Sequence, residues 1–265
     1  MTPIIDCHCH VYPEKIASKA VAAIGKFYDI PMCMDGSLDT LKREGTAAGI
    51  KHWVIFSVAT KPSQTASINQ FIAETVAASG GTMTGLGTLH PDSADLKGDV
   101  EHLISLGLKG VKLHPDIQGF KIDDYRCLKI YELCEGRLPI LMHTGDKRYD
   151  YSNPNRLKPV LDIFGGLTVI GAHLGGWSIW EEATKELYGY KNLYVDCSSS
   201  LYALTPEKAT ELIRLYGAKK VLFGIDYPMW KPTEEVERFN RLDLTDAERE
   251  LILHTNAEKL FGISL

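Results

Sequence analysis

Eight short runs rich in Val, Ile and Leu punctuate this chain of 265 residues. They are Ile4–His8, Trp53–Val58, Met83–Leu89, Gly110–His114, Pro139–His143, Thr168–His173, Leu193–Cys197 and Val221–Asp226. Gly, Pro, Ser or Asp follows each run, and a helical pattern comes next. After the first interval the runs start roughly 25 to 31 residues apart, which is the length of a βα unit. Strands this continuously apolar belong to a parallel sheet covered on both faces. Eight of them alternating with helices predict an α/β chain folded as a (β/α)8 TIM barrel, a fold that takes about 250 residues. No low-complexity stretch or polar linker interrupts the pattern, so residues 1–265 read as one domain.

Helix starts are marked by polar caps, whose side chains accept from the first free backbone N–H groups. Ser37 precedes a helix predicted over 38–48, Ser63 one over 66–78, Asp92 one over 94–106 and Asp123 one over 125–134. Thr205-Pro206-Glu207 combines a cap, a proline at the first helical position and an acid in the first turn. Thr245 and Glu248 form a capping box that opens a helix over 246–261. The one long connection, residues 11–36, holds a helical pattern over 13–27. A βα loop lies at the C-terminal mouth of a barrel, so this extended first loop is expected to act either as a lid or as packing.

The mouth is also where the histidines collect. Of nine in the chain, six end predicted strands: His8, His10, His90, His114, His143 and His173. Asp226 ends the last run in the same way. Along the first strand, alternation puts Asp6, His8 and His10 on one face and Ile5, Cys7 and Cys9 on the other. The two imidazoles are then about 6.6 Å apart, near enough to converge on one ion if further ligands arrive from elsewhere. Asp6 is expected to orient an imidazole, with a bond to neighbouring backbone as the alternative.

The pieces Asp6-x-His8-x-His10, His143, His173 in Gly171-Ala-His-Leu-Gly-Gly176, and Asp226 in Gly224-Ile-Asp-Tyr-Pro228 occur in strand order along the whole chain. This set resembles the amidohydrolase superfamily, and within it the group that includes aminocarboxymuconate-semialdehyde decarboxylase. The resemblance implies a barrel binding a divalent metal, usually zinc. It implies His8, His10, His143 and Asp226 as ligands, Asp226 also as proton acceptor, and His173 as acid/base or as a ligand to a second ion. Zinc favours imidazole nitrogen and carboxylate oxygen, which agrees with that set. Lys112 shares a face with His114 in Gly110-Val-Lys-Leu-His-Pro115. In binuclear relatives a carboxylated lysine on this strand bridges two metals. Lys112 is therefore read as a bridge, a cationic contact for a substrate carboxylate, or an ion-pair partner, with a single ion favoured.

His114, Lys112, Arg148 and Trp177 are the expected substrate contacts. Arg148 is assigned to a substrate carboxylate because its planar fork suits bidentate binding, the alternative being a salt bridge with Asp146 or Asp150. Trp180 shares the loop after strand six, His90 reads as structural, and Ser198–Ser200 read as a helix cap. The favoured activity is hydrolysis of a small, carboxylated amide, ester or lactone; non-oxidative decarboxylation of an aromatic or muconate-like acid is the alternative. Related decarboxylases often have longer chains, and some carry Glu in place of the first motif histidine, so a compact chain that keeps His8 leans towards hydrolysis. A TatD-type nuclease would need a Glu at a middle strand end, and none is present. The net charge of -5 and the scattered Lys and Arg disfavour a nucleic-acid partner. No run approaches the ~20 apolar residues of a membrane span. Six cysteines lacking zinc-finger spacing read as reduced thiols of a cytoplasmic protein. A homodimer is compatible with a chain of this size.

Overall fold

The computed structural model describes residues 2–265. Strands β1 (Ile4–His10), β2 (Ile50–Phe56), β3 (Met83–Gly85), β4 (Gly87–Thr88), β5 (Val111–Leu113), β6 (Ile140–Met142), β7 (Val169–Gly171), β8 (Leu193–Asp196) and β9 (Val221–Leu222) fill the eight positions of the barrel. Every pair of neighbours is parallel, in the orders β1-β2-β3 and β4-β5-β6-β7-β8-β9. The run expected to be continuous over 83–89 is divided at Leu86. Leu86 N donates to Ile55 O at 3.0 Å and Gly87 N to Gly110 O at 2.9 Å, so the chain changes partners there without leaving the wall. Gly87 is required at this point: a Cβ would lie 2.3 Å from Leu103 Cδ1, inside the helix packed behind.

The wall closes between β1 and the segment after β9. Cys7 N donates to Phe223 O at 2.9 Å, Asp226 N to His8 O at 3.0 Å and His10 N to Tyr227 O at 2.9 Å. A one-residue irregularity in β1 modifies the expected faces: β1 advances from Asp6 to Cys9 while β2 advances only from Trp53 to Ile55. Such a bulge breaks strict alternation. Ile5 and Cys7 pack with Val54, Phe56, Leu141 and Ile170 in one buried cluster, which Ala257, Phe261 and Ile263 extend at the C-terminal end. Cys9 instead joins Ile4, Trp53 and Ile55 in the larger cluster.

Helix α1 (Glu14–Tyr28) occupies the expected excursion, and α2 (Leu38–Ala47) follows with Ser37 accepting from Thr40 N at 3.2 Å. Three caps shift from their predicted residues. Asp95, not Asp92, accepts from Gly98 N and starts Leu96–Ser105. Asp124, not Asp123, accepts from Arg126 N and starts Tyr125–Cys134. Ser63 lies in the preceding turn Pro62–Gln64, and the helix Thr65–Ala77 starts after it. In the first two cases the cap is the residue whose carboxylate reaches a first-turn N–H, whereas Gln64 before Thr65 makes no side-chain cap bond; Asp92 is instead paired with Arg126. Thr205 and the Thr245–Glu248 box cap as expected. Among the described residues, no helix is long and apolar enough to cross a membrane.

Candidate metal centre

Three groups of His and Asp side chains stand close enough to share an ion: His8, His10 and Asp226; His8, His173 and Asp196; His114, Asp116 and His143. Geometry separates them. Two ligand atoms bound at zinc distances in a tetrahedron stand about 3.4 Å apart. Asp226 Oδ1 lies 3.5 Å from His8 Nε2 and 3.7 Å from His10 Nε2, close to that spacing. The two rings are inclined at 47°, so in-plane lone pairs can converge. In the second group, the Ser198 hydroxyl already sits 3.1 Å from His8 Nδ1 and 3.0 Å from His173 Nδ1 and donates to Asp196. In the third, His114 and His143 stack at 3.9 Å with planes only 8° apart, so their lone pairs run parallel rather than meeting. The first group is the one that fits a metal.

Hydrogen-bond partners set the tautomers. A carboxylate oxygen only accepts, so His8 Nδ1, 2.9 Å from Asp196 Oδ2, carries the proton and leaves Nε2 with its lone pair. Burial, and then the charge of Lys112, hold both His8 and His10 well below the usual imidazole pKa. Both are therefore neutral near pH 7, as metal ligands must be. Likewise a carbonyl only accepts, so His173 Nδ1 donates to Ser198 O at 3.1 Å and its Nε2 accepts from His143 Nδ1 at 3.0 Å. His143, an expected ligand, is thus bonded to His173 and groups with His114 and Asp116 rather than with the other three. Its Nε2 is buried without a partner, 3.6 Å from Asp116 Oδ2.

The remaining expected residues fall around this set. Lys112 is fully buried, with Nζ 3.2 Å from His8 Nε2 and over the Phe56 ring. Burial lowers its ammonium pKa, against the pull of Asp196 and Asp226. Burial likewise raises the Asp226 carboxyl. His114 Nε2 meets Tyr28 OH at 2.7 Å. The Arg148 fork is not open: it clasps Asp146 through Nε and Nη2, and Nη1 donates to Phe27 O at 2.7 Å. Phe27, Tyr28, Tyr149 and Trp177 surround its guanidinium. These contacts lay the C-terminal end of α1 across the mouth. Trp180 Nε1 donates to Ser200 Oγ at 3.0 Å, and His90 is buried, accepting from Asp92 N.

Two assignments change. Asp6 Oδ1 accepts from His8 N at 3.1 Å and Ile225 N at 3.0 Å, so it ties backbone across the seam instead of orienting a ring. The bulge takes it out of phase with His8. Ser198–Ser200 cap no helix; Thr205 does that. Ser198 bridges His8, His173 and Asp196, while Ser199 Oγ donates to Asp226 Oδ2 at 2.5 Å. Asp196, which performs the orienting role, was missed. Its only signal is an Asp ending an apolar strand, the same signal that marks Asp226.

A cavity of about 700 Å³ opens beside His10 and His114, between α1 and the helix Thr65–Ala77. Its wall is mostly apolar, with Ile16, Ile24, Phe27, Ile68 and Phe71, while Tyr12, Lys15, Ser57 and exposed Thr60, Gln64 and Ser67 add polar groups. A narrower pocket lined by His10, Tyr28, His114, His143, His173 and Asp226 shares His10, Tyr12, Ile24, His114 and Ile117 with it.

A family model described as Amidohydrolase matches residues 5–263. No curated protein matches the chain. Among solved structures, an uncharacterized TIM-barrel protein from Bordetella bronchiseptica is 25% identical, with 98% of each chain covered and a TM-score of 0.80. The 5-carboxyvanillate decarboxylase from Sphingomonas paucimobilis is 17% identical, with 100% of each chain covered and a TM-score of 0.76. A dihydroxybenzoic acid decarboxylase from Polaromonas sp. JS666, solved with bound manganese and the inhibitor 2-nitroresorcinol, is 16% identical. There 99% of this chain and 97% of that one are covered, at a TM-score of 0.73. The TIM-barrel fold expected from the strand spacing is thereby established.

Proposed function

The chain belongs to the amidohydrolase family, and on that premise we propose that it is a metal-dependent, non-oxidative carboxy-lyase acting on a small, ring-bearing or unsaturated acid. The observation that carries this reading is the apolar cavity beside the His8–His10–Asp226 set. Such a mostly apolar wall suits a ring-bearing substrate. Two similar folds are named as decarboxylases, which supports the same choice. The expected preference for hydrolysis leaned on a compact chain; the full mutual coverage with 5-carboxyvanillate decarboxylase removes that support.

His8 Nε2, His10 Nε2 and Asp226 Oδ1 would hold the ion, with His143 the fourth expected ligand. When bound, the ion would draw charge from the substrate's oxygen atoms. The protein's own residues do the rest. The apolar part of the cavity wall would pack against the substrate's ring. Lys112 supplies a buried cation, and His173, fixed by Ser198, stands beside His143. Asp226 is placed to take a proton from solvent and deliver it to the carbon that bears the carboxylate. The bond between that carbon and the carboxyl breaks, its electron pair takes the proton, and carbon dioxide leaves. Zinc suits the imidazole donors, and manganese is the ion named in a similar structure. Two tightly bound ions per chain, measured by elemental analysis, would instead assign Lys112 as a carboxylated bridge.

Hydrolysis of a lactone, ester or amide is the second reading, favoured by the retained imidazole of His8 at the first motif position. Metal-loaded protein incubated with hydroxybenzoates, muconate-like acids and lactones separates the two. Carbon dioxide release supports the proposal; water-dependent lactone cleavage without it refutes the proposal.

A further inference from the structure

We propose that Trp230 and Ser199 form a one-way hydrogen-bond relay that engages Asp226 Oδ2 and keeps Oδ1 turned towards His8 and His10. The inference rests on the reading of His8, His10 and Asp226 as metal ligands. Its direction follows from donor chemistry alone. An indole N–H only donates, and Trp230 Nε1 lies 2.8 Å from Ser199 Oγ. The serine oxygen therefore accepts, and its own hydrogen must go elsewhere. Asp226 Oδ2 receives it at 2.5 Å, while the alternative acceptor, Met229 Sδ, is 3.4 Å away and weaker. No rotation of the hydroxyl satisfies the indole and reverses the chain.

Ser199 is buried and Asp226 nearly so, which leaves water little chance to substitute for either bond. The indole is itself held: Tyr202 stacks on it at 4.4 Å and 26°, and the Arg238 guanidinium lies 5.9 Å from the ring. The backbone N–H of Asp226 is fixed to His8 O at 3.0 Å. Main chain and Oδ2 are thus both pinned, so Oδ1 is the oxygen left facing the imidazoles, 3.5 and 3.7 Å away. Trp230 and Ser199 are positioning residues: neither reaches the place an ion would occupy except through Asp226.

The test is Mn2+ affinity by competition with a fluorescent chelator, on the full chain and on Trp230→Phe, Ser199→Ala and the double variant. Each single change is expected to weaken binding by about 10-fold or more, as loss of an outer partner does. Trp230→Phe keeps an aromatic ring for Tyr202, and unchanged circular dichroism shows that the fold persists. The double variant should bind no more weakly than Ser199→Ala alone, because the indole acts only through the hydroxyl. Unchanged affinity in Trp230→Phe, or losses that multiply in the double variant, overturns the relay. His8→Ala is the separate control: if it binds Mn2+ as tightly as the unmodified chain, the ion lies elsewhere, and the ligand reading falls together with the relay.

Discussion

Replacing Asp196 by Asn should switch the tautomer of His8 and with it the metal affinity. Asp196 is fully buried and used at both oxygens. Oδ1 accepts from His173 N and Ser198 N, each at 3.1 Å, and from the Ser198 hydroxyl. Oδ2 accepts from His8 Nδ1 at 2.9 Å. Asparagine offers one acceptor oxygen and one NH2 donor. Turned with its NH2 at the Oδ1 position, it would confront three donors. The amide oxygen therefore takes that position and the NH2 faces His8. Nδ1 must then accept, the ring proton moves to Nε2, and the lone pair that would meet an ion is lost. Loss of such an outer carboxylate costs roughly 10- to 100-fold in affinity, or about 1.4 to 2.8 kcal/mol. Three of the four bonds survive and the fourth reverses, but the new Nε2–H confronts Lys112 Nζ, so the stability loss should be near ~1–2 kcal/mol. Nitrogen-15 NMR of the imidazoles reports the tautomer, and chelator competition with Zn2+ reports the affinity. A variant whose His8 keeps its proton on Nδ1, or that binds Zn2+ as tightly as before, would refute the reasoning.

His8→Ala should lose the ion, and Asp226→Asn should weaken its binding and lose at least roughly 100-fold in turnover, because an amide cannot take up the proton and its oxygen, held by the Ser199 hydroxyl, leaves the NH2 facing the imidazoles; metal analysis beside carbon dioxide release checks both. Arg148→Met should free the end of α1 by removing the bonds to Asp146 and Phe27 O. Faster hydrogen exchange over residues 14–28 and a higher KM with little change in kcat are the expected readouts. His52, remote from the mouth and bonded to Thr84 Oγ1 at 2.9 Å, is lowered by burial to about 4. The unfolded chain takes up this proton near 6.5 and the folded chain does not until about 4, so stability is whole above pH 6.5 and falls as pH drops through that window. His52→Gln should flatten the decline in melting temperature between pH 6.5 and 4.5; an unaltered slope would remove His52 as its cause.

Strand spacing made the barrel legible, and strand ends marked His8, His10 and Asp226, because a parallel barrel gathers every C-terminal strand end at one mouth. What escaped were relations between strands. Asp6 looked like an orienting group through alternation alone, but the β1 bulge shifts its phase. Asp196, on β8, earns its role only from meeting His8 across the barrel, a contact no local pattern encodes. Arg148 presented the right fork for a carboxylate, and the carboxylate it holds is Asp146, the salt bridge expected as the alternative. Ser198–Ser200 carry cap chemistry in isolation; the loop instead aims their hydroxyls into the mouth, at His8, Asp226 and Trp180.

The seam has a consequence for how the site comes into being. His8 and His10 arrive with the first strand, and Asp226 with the last stretch of wall, which hydrogen-bonds to the first. A growing chain can therefore complete every other strand and still lack a place for the ion. Binding and ring closure depend on the same two edges meeting, and an ion held there would clip the barrel shut. Amides along this seam should then be the ones whose exchange with solvent slows most when metal is added.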